Sequence, residues 1–228
     1  MRVIVCLQAP PPSPDGERRL ARDDAAALAK ALALGSVAPK VTVVLAGPSA
    51  DAAVLQRALA AGAARAVRIT GEDLSNADFH TVGQALSSAI KKLGADLVLT
   101  GARSDEEGLG AVAAATARQL GTACVSSVEA VFASGEEAVE VLVRGVGRKR
   151  RLRVTLPAVL AVTAVGDEVS EPPDRTGSPN DIELLSLADP EATVVRRRTE
   201  LLGKPEPASR GTEQVTSASA LVAALKRR

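Results

Sequence analysis

Short apolar runs and longer helically spaced blocks take turns along the first half of the chain. RVIVCLQ (2–8), KVTVVLA (40–46), ARAVRI (64–69) and DLVLTG (96–101) are brief and β-branched, the pattern of strands buried on both faces. Between them lie blocks that read as helices. Asp23 to Leu34 has acids in its first turn and Gly35 at its end. A second starts after the break Gly47-Pro48-Ser49, capped by Ser49 or Asp51, and runs to about Ala61. A third runs from Asp78 to Leu93 and stops at Gly94; a fourth runs from about Gly110 to Leu120. The loop APPPSPDG (9–16) is too rich in proline to be regular. Strands alternating with helices predict parallel βαβ units with right-handed crossovers.

After Leu120 the pattern changes. TACVSSVEAVFA, AVEVLVRG and KRRLRVTLPAVLAVTAV read as three extended segments with no helix between them. RLRVTL alternates like a half-exposed antiparallel strand. The predicted fold is α/β: a Rossmann-like parallel sheet with helices on both faces, a late antiparallel hairpin and an extended C-terminal arm. The α/β domain is assigned to 1–166 and the arm to 167–228. Residues 167–211, with DEVSEPPDRTGSPND and GKPEPASRG, predict little independent structure. Ser217 is placed to cap a last helix, ASALVAALKRR, which would lie on its own domain or on a partner chain.

Composition narrows the function. With 228 residues, 46% hydrophobic and 24% charged, the chain can bury a substantial core. A net charge of +1 gives no bulk attraction to nucleic acid, and 1% aromatics leave no base-stacking surface and little to stack on a flavin ring. No run approaches ~18 apolar residues, so no membrane span is expected. MRVIVCLQ lacks the features of a signal peptide, and a cytoplasmic location is the default expectation. Cys6 and Cys124 sit in apolar strand-like runs and read as reduced, buried thiols. One histidine, His80, and two scattered cysteines make no zinc set and no catalytic triad. The basic run Arg148-Lys-Arg-Arg-Leu-Arg153 reads as edge-strand protection, with docking to an acidic surface as the alternative.

In a parallel sheet, ligands bind beyond the carboxyl ends of the strands. Three early strands end in Gln8-Ala9-Pro10, Ala46-Gly47-Pro48 and Thr100-Gly101, small residues that leave backbone groups approachable. The fourth strand runs into ARSDEEGLG (102–110), with Gly108 and Gly110 just before a helix whose first amides face the loop. Such a helix start favours an anion. On this loop alone a tight turn with acids placed favourably at a helix start is the favoured reading over a nucleotide site, because G-x-G-x-x-G or Walker spacing is absent.

The order of these segments resembles one family, the β subunit of electron transfer flavoproteins. DLVLTGARSDEEGLGAVAAATARQLG is similar to that family's D-L-V-L-T-G-x-Q-S-D-D-E-G-T-G-Q-V-G element. RVIVCLQ, LQRALAAGAARAVRI, LPAVLAVTAVGDEVSEPPDRTGSPNDI and the closing ASALVAALKRR resemble its other elements in the same order. The resemblance implies a heterodimer with an α subunit that carries redox-active FAD. Electrons would pass from a dehydrogenase donor through that FAD to an acceptor, with no covalent chemistry in β. It also implies a structural AMP in this subunit, replaced by a second FAD in electron-bifurcating members.

Carried over by position, the nucleotide contacts fall on Cys6, Ala46, Gly101, Ser104, Asp105, Gly108, Leu109, Gly110, Ala111 and Val112. Ala111 and Ala113 stand where the family has glutamine and glycine, so the loop keeps its amides but loses side-chain grip. The family's Asn-Pro-Phe segment is replaced by Arg19 to Arg22, and Arg22 is a candidate phosphate contact. The partner-recognition loop maps to Glu171, Arg175, Ser178, Pro179 and Asn180. Ser178 replaces an anchoring leucine and Glu183-Leu-Leu-Ser a lysine cluster, which implies a donor other than an acyl-CoA dehydrogenase. The competing reading is a free-standing ATP-binding regulator of the universal-stress type. That class carries a G-x-x-G and a G-[ST] pair after the fourth strand and lacks the LPAV hairpin and arm.

Overall fold

All four early apolar runs become parallel strands: β1 (Val3–Leu7), β2 (Val41–Ala46), β3 (Arg65–Thr70) and β4 (Leu97–Gly101). The structure, a computed structural model, describes residues 1–10, 16–71, 74, 77–104, 108–164, 181–186 and 217. The chain divides into one unit over Met1–Arg198 and another over Thr199–Arg228; every element here belongs to the first. The helices are α1 (Arg22–Ala33), α2 (Ala52–Ala60), α3 (Phe79–Leu93) and α4 (Ala111–Leu120). Asp78 caps α3 by accepting from the Thr81 amide at 2.9 Å, and Gly94, at φ 73°, ends it. The start of α2 differs from expectation. Ser49–Asp51 form a 3-10 turn, and neither side chain caps the helix. Asp51 instead faces Arg18, 3.1 Å away.

The second half holds β5 (Ala123–Ala133), β6 (Ala138–Gly145), β7 (Arg148–Thr155), β8 (Ala158–Val162) and β9 (Ile182–Ser186). Two expectations are corrected. The segment KRRLRVTLPAVLAVTAV is two strands: β7 pairs antiparallel to β6, whereas β8 runs parallel between β4 and β5. The chain bends at Leu156-Pro157, and proline has no amide to continue a ladder. AVLAV is buried at all five positions, as a strand covered on both faces requires. Second, the stretch expected to be an arm contains β9, a parallel edge strand on β3, with Glu183 held 2.5 Å from Arg65. The remaining arm positions and the helix expected after Ser217 lie outside the described residues.

The sheet order is β7-β6-β5-β8-β4-β1-β2-β3-β9. Residues of α1 and α2 pack with Val3, Val5 and Leu7 on one face; residues of α3 and α4 pack with Ile4 and Cys6 on the other. The chain builds outward from β1 through β2 to β3, then returns to β4 on β1's other side. A constant crossover hand therefore puts the later helices on the opposite face. The switch point falls between β1 and β4.

At the far edge, the basic run is strand β7. Buried Glu129 takes both Arg144 and Lys149, the latter at 2.8 Å, and the Lys149 hydrogen bond is the first cause holding its carboxyl below the usual range. Arg151 pairs with Glu140 at 2.6 Å and lies over the Phe132 ring. Two of the five basic residues of the run, Lys149 and Arg151, are thus paired within the sheet.

Candidate functional site

The crevice beyond the carboxyl ends of β1 and β4 is where an open α/β sheet takes a ligand. Two acids at the start of α1 organise it. Asp24 is 1% exposed and accepts from the Gln8 amide at 2.7 Å and the Gly101 amide at 2.8 Å. Its neighbour Asp23 accepts from the Ala164 amide, just past β8, at 2.9 Å. The amides at Gln8 and Gly101, expected to be open to a ligand, are thus already satisfied. Gly101 is also required sterically, since a Cβ there would lie 2.4 Å from Asp24 Oδ1.

The opposite wall is the loop from β4 to α4. The Ala102 amide donates to Val162 at 2.7 Å, tying the loop root to β8. Gly110, the N-cap of α4, has φ 60°, and a Cβ on it would lie within 2.2 Å of the Ala102 carbonyl oxygen. Only glycine reaches that oxygen in this conformation. The Gly108 amide donates to both the carbonyl (3.0 Å) and the hydroxyl (3.2 Å) of Ser104, closing the turn. The hydroxyl of Ser104, the residue expected to grip a phosphate, thus accepts from the Gly108 amide. Gly108 has φ 66° and open space where its Cβ would be. The first amides of α4, from Ala111 onward, have no intrahelical acceptor.

Of the other expected contacts, Leu109 is 66% exposed beside the loop, and Ala111 and Val112 are half-buried at the helix start. Ala46 ends β2, two strands from β4, and is half-buried. Gly47 beyond it is closed off by Arg68, which donates to its carbonyl, and by Asp51. Arg22 opens α1 on the exposed surface. The Cys6 side chain does not face the crevice. It is buried under α3 and α4, and burial first, then the Asp24 charge, pushes its thiol up to about 12. Cys6 can line a ligand only through its backbone. Cys124, expected to be buried, is exposed. In the folded chain a disulfide thiol reagent is expected to titrate Cys124 and leave Cys6 unreacted until denaturant is added. Asp105, Glu171, Arg175, Ser178, Pro179 and Asn180 lie outside the described residues. His80 packs on Phe79 with ring centroids 4.3 Å apart. Sequence reading missed the Asp23–Asp24 pair, which looked like ordinary first-turn acids.

These features define a doubly wound α/β protein with a glycine loop and a helix start facing its switch point. Among the described residues no helix is long and apolar enough to cross a membrane. The electron transfer flavoprotein domain profile matches residues 14–190. The electron transfer flavoprotein subunit beta of Mycobacterium tuberculosis is 30% identical over 194 residues, covering 77% of this chain and 70% of that protein. Its counterpart in Mycobacterium leprae is 27% identical over 198 residues (81% and 73%). That of Thermoanaerobacterium thermosaccharolyticum is 33% identical over 118 residues (51% and 45%). The chain belongs to the electron transfer flavoprotein β subunit family.

Proposed function

We propose that this chain pairs with an FAD-bearing α subunit and that the heterodimer carries electrons from a dehydrogenase to an acceptor. The β chain holds AMP, or a second FAD in a bifurcating arrangement, against the β4–α4 loop. Family membership supports the pairing. The observation that carries the nucleotide is Gly110, seated on the Ala102 carbonyl so that α4 presents its first amides to the open side of Gly108. A phosphate fits this cradle through backbone alone, which suits a loop that has alanine at 111 and 113. The role is carriage: FAD in the partner supplies the redox chemistry, and this chain binds and orients.

The donor is read as different from an acyl-CoA dehydrogenase. Where the resemblance places a lysine cluster, this chain has Glu183, whose charge is spent on Arg65 within the sheet. Co-expression with the candidate α subunit is expected to give a yellow 1:1 complex that an acyl-CoA dehydrogenase does not reduce. A colourless chain that stays alone and binds ATP would contradict the pairing, and efficient reduction would contradict the donor assignment.

A further inference from the structure

We infer that Asp24, assisted by Asp23, is the positioning residue of the nucleotide site. It acts by holding the strand end from which α4 is aimed. This rests on the reading that the β4–α4 loop receives a nucleotide phosphate.

The physical chain is short. Asp24 fixes Gly101 through a charge-assisted hydrogen bond of 2.8 Å. Gly101 is followed by Ala102, whose amide is fixed to Val162 and whose carbonyl is the surface on which Gly110 rests. Gly110 is the N-cap of α4, so its placement sets the direction of the first α4 amides. Asp24 is locked in turn: its other oxygen holds Gln8 at the end of β1, across the switch point from Gly101. Asp23 ties the same helix start to Ala164 at the end of β8, the strand that anchors Ala102. Three strand ends, from β1, β4 and β8, are thereby indexed to one turn of α1. The effect of these contacts on binding is felt where the α4 amides act, at the phosphate, and not at the nucleoside.

The test compares AMP with adenosine on the αβ complex stripped of nucleotide, by titration calorimetry. Asp24→Asn keeps the volume but leaves a single acceptor oxygen for two amides. Losing one hydrogen bond to a charged group is expected to weaken AMP by about tenfold, with adenosine unchanged. Gly101→Ala displaces the same carboxylate from the other side and is expected to lower the AMP-to-adenosine ratio likewise. It decides the question alone if Asp24→Asn yields no complex. A purely structural role would weaken both ligands equally. Equal weakening, an unchanged ratio or a raised ratio overturns the inference while the nucleotide reading stands. A wild-type complex that binds no AMP, and no FAD beyond the one carried by α, overturns both.

Discussion

Gly110→Ala is expected to strip this chain of its nucleotide and to destabilise it by about 3 kcal/mol. Two costs add. A non-glycine residue in the left-handed region loses about 1–2 kcal/mol. The new methyl would also sit on the Ala102 carbonyl oxygen, in a residue whose amide is tied to Val162; forced shifts of this kind cost about 1–3 kcal/mol. Gly108→Ala is the matched control for stability. It shares the positive φ but meets nothing within 4 Å, so only the conformational cost of about 1–2 kcal/mol applies. Urea midpoints measure the difference in stability, and nucleotide per complex for Gly110→Ala against wild type measures the loss of binding. Equal effects of the two substitutions would show that the Gly110–Ala102 contact does not matter.

Gly83→Ala is expected to lower stability by about 1 kcal/mol, although alanine is the better helix former by about 1 kcal/mol. Gly83 lies inside α3, where it faces α4. An added Cβ would come within 2.7 Å of the Ala115 Cβ and 3.2 Å of backbone atoms of Ala115 and Thr116. Overpacking of about 1–3 kcal/mol therefore outweighs the gain in propensity. At this chain length each kcal/mol corresponds to a melting shift of about 2–4 °C. Adding Ala115→Gly removes the methyl–methyl clash and should restore part of the loss. A raised melting temperature for Gly83→Ala alone would mean that α3 and α4 are not held this closely.

What was legible in the sequence follows from locality. The strands β1 to β4 could be read because strands buried on both faces are unbroken apolar runs, each followed by a helix with its own stop signal. The strand β8 was hidden because no helix or glycine turn separates it from β7; two successive strands share one extended run and differ only in their neighbours. The strand β9 was hidden in polar, proline-rich surroundings, where five residues carry too weak a pattern. In the site, Gly108 and Gly110 were legible as glycines before a helix, yet their contrast was not, since it depends on where the Ala102 carbonyl lies. Asp23 and Asp24 read as complements to a helix dipole. Their actual partners are 16, 77 and 141 residues distant along the chain, and only the assembled sheet brings those amides within reach. Cys6 was correctly read as a core thiol, and the same burial explains why its side chain cannot serve the ligand.

The central claim is that this chain is a β subunit holding a nucleotide at the β4–α4 loop of a flavoprotein heterodimer. The most direct measurement is the nucleotide released when the purified αβ complex is denatured, resolved by chromatography and counted against protein. The account predicts two molecules per heterodimer, one FAD from α and one AMP or second FAD from this chain, the latter lost in Gly110→Ala. A heterodimer that releases only the FAD of α, or one whose second nucleotide survives Gly110→Ala, would contradict it.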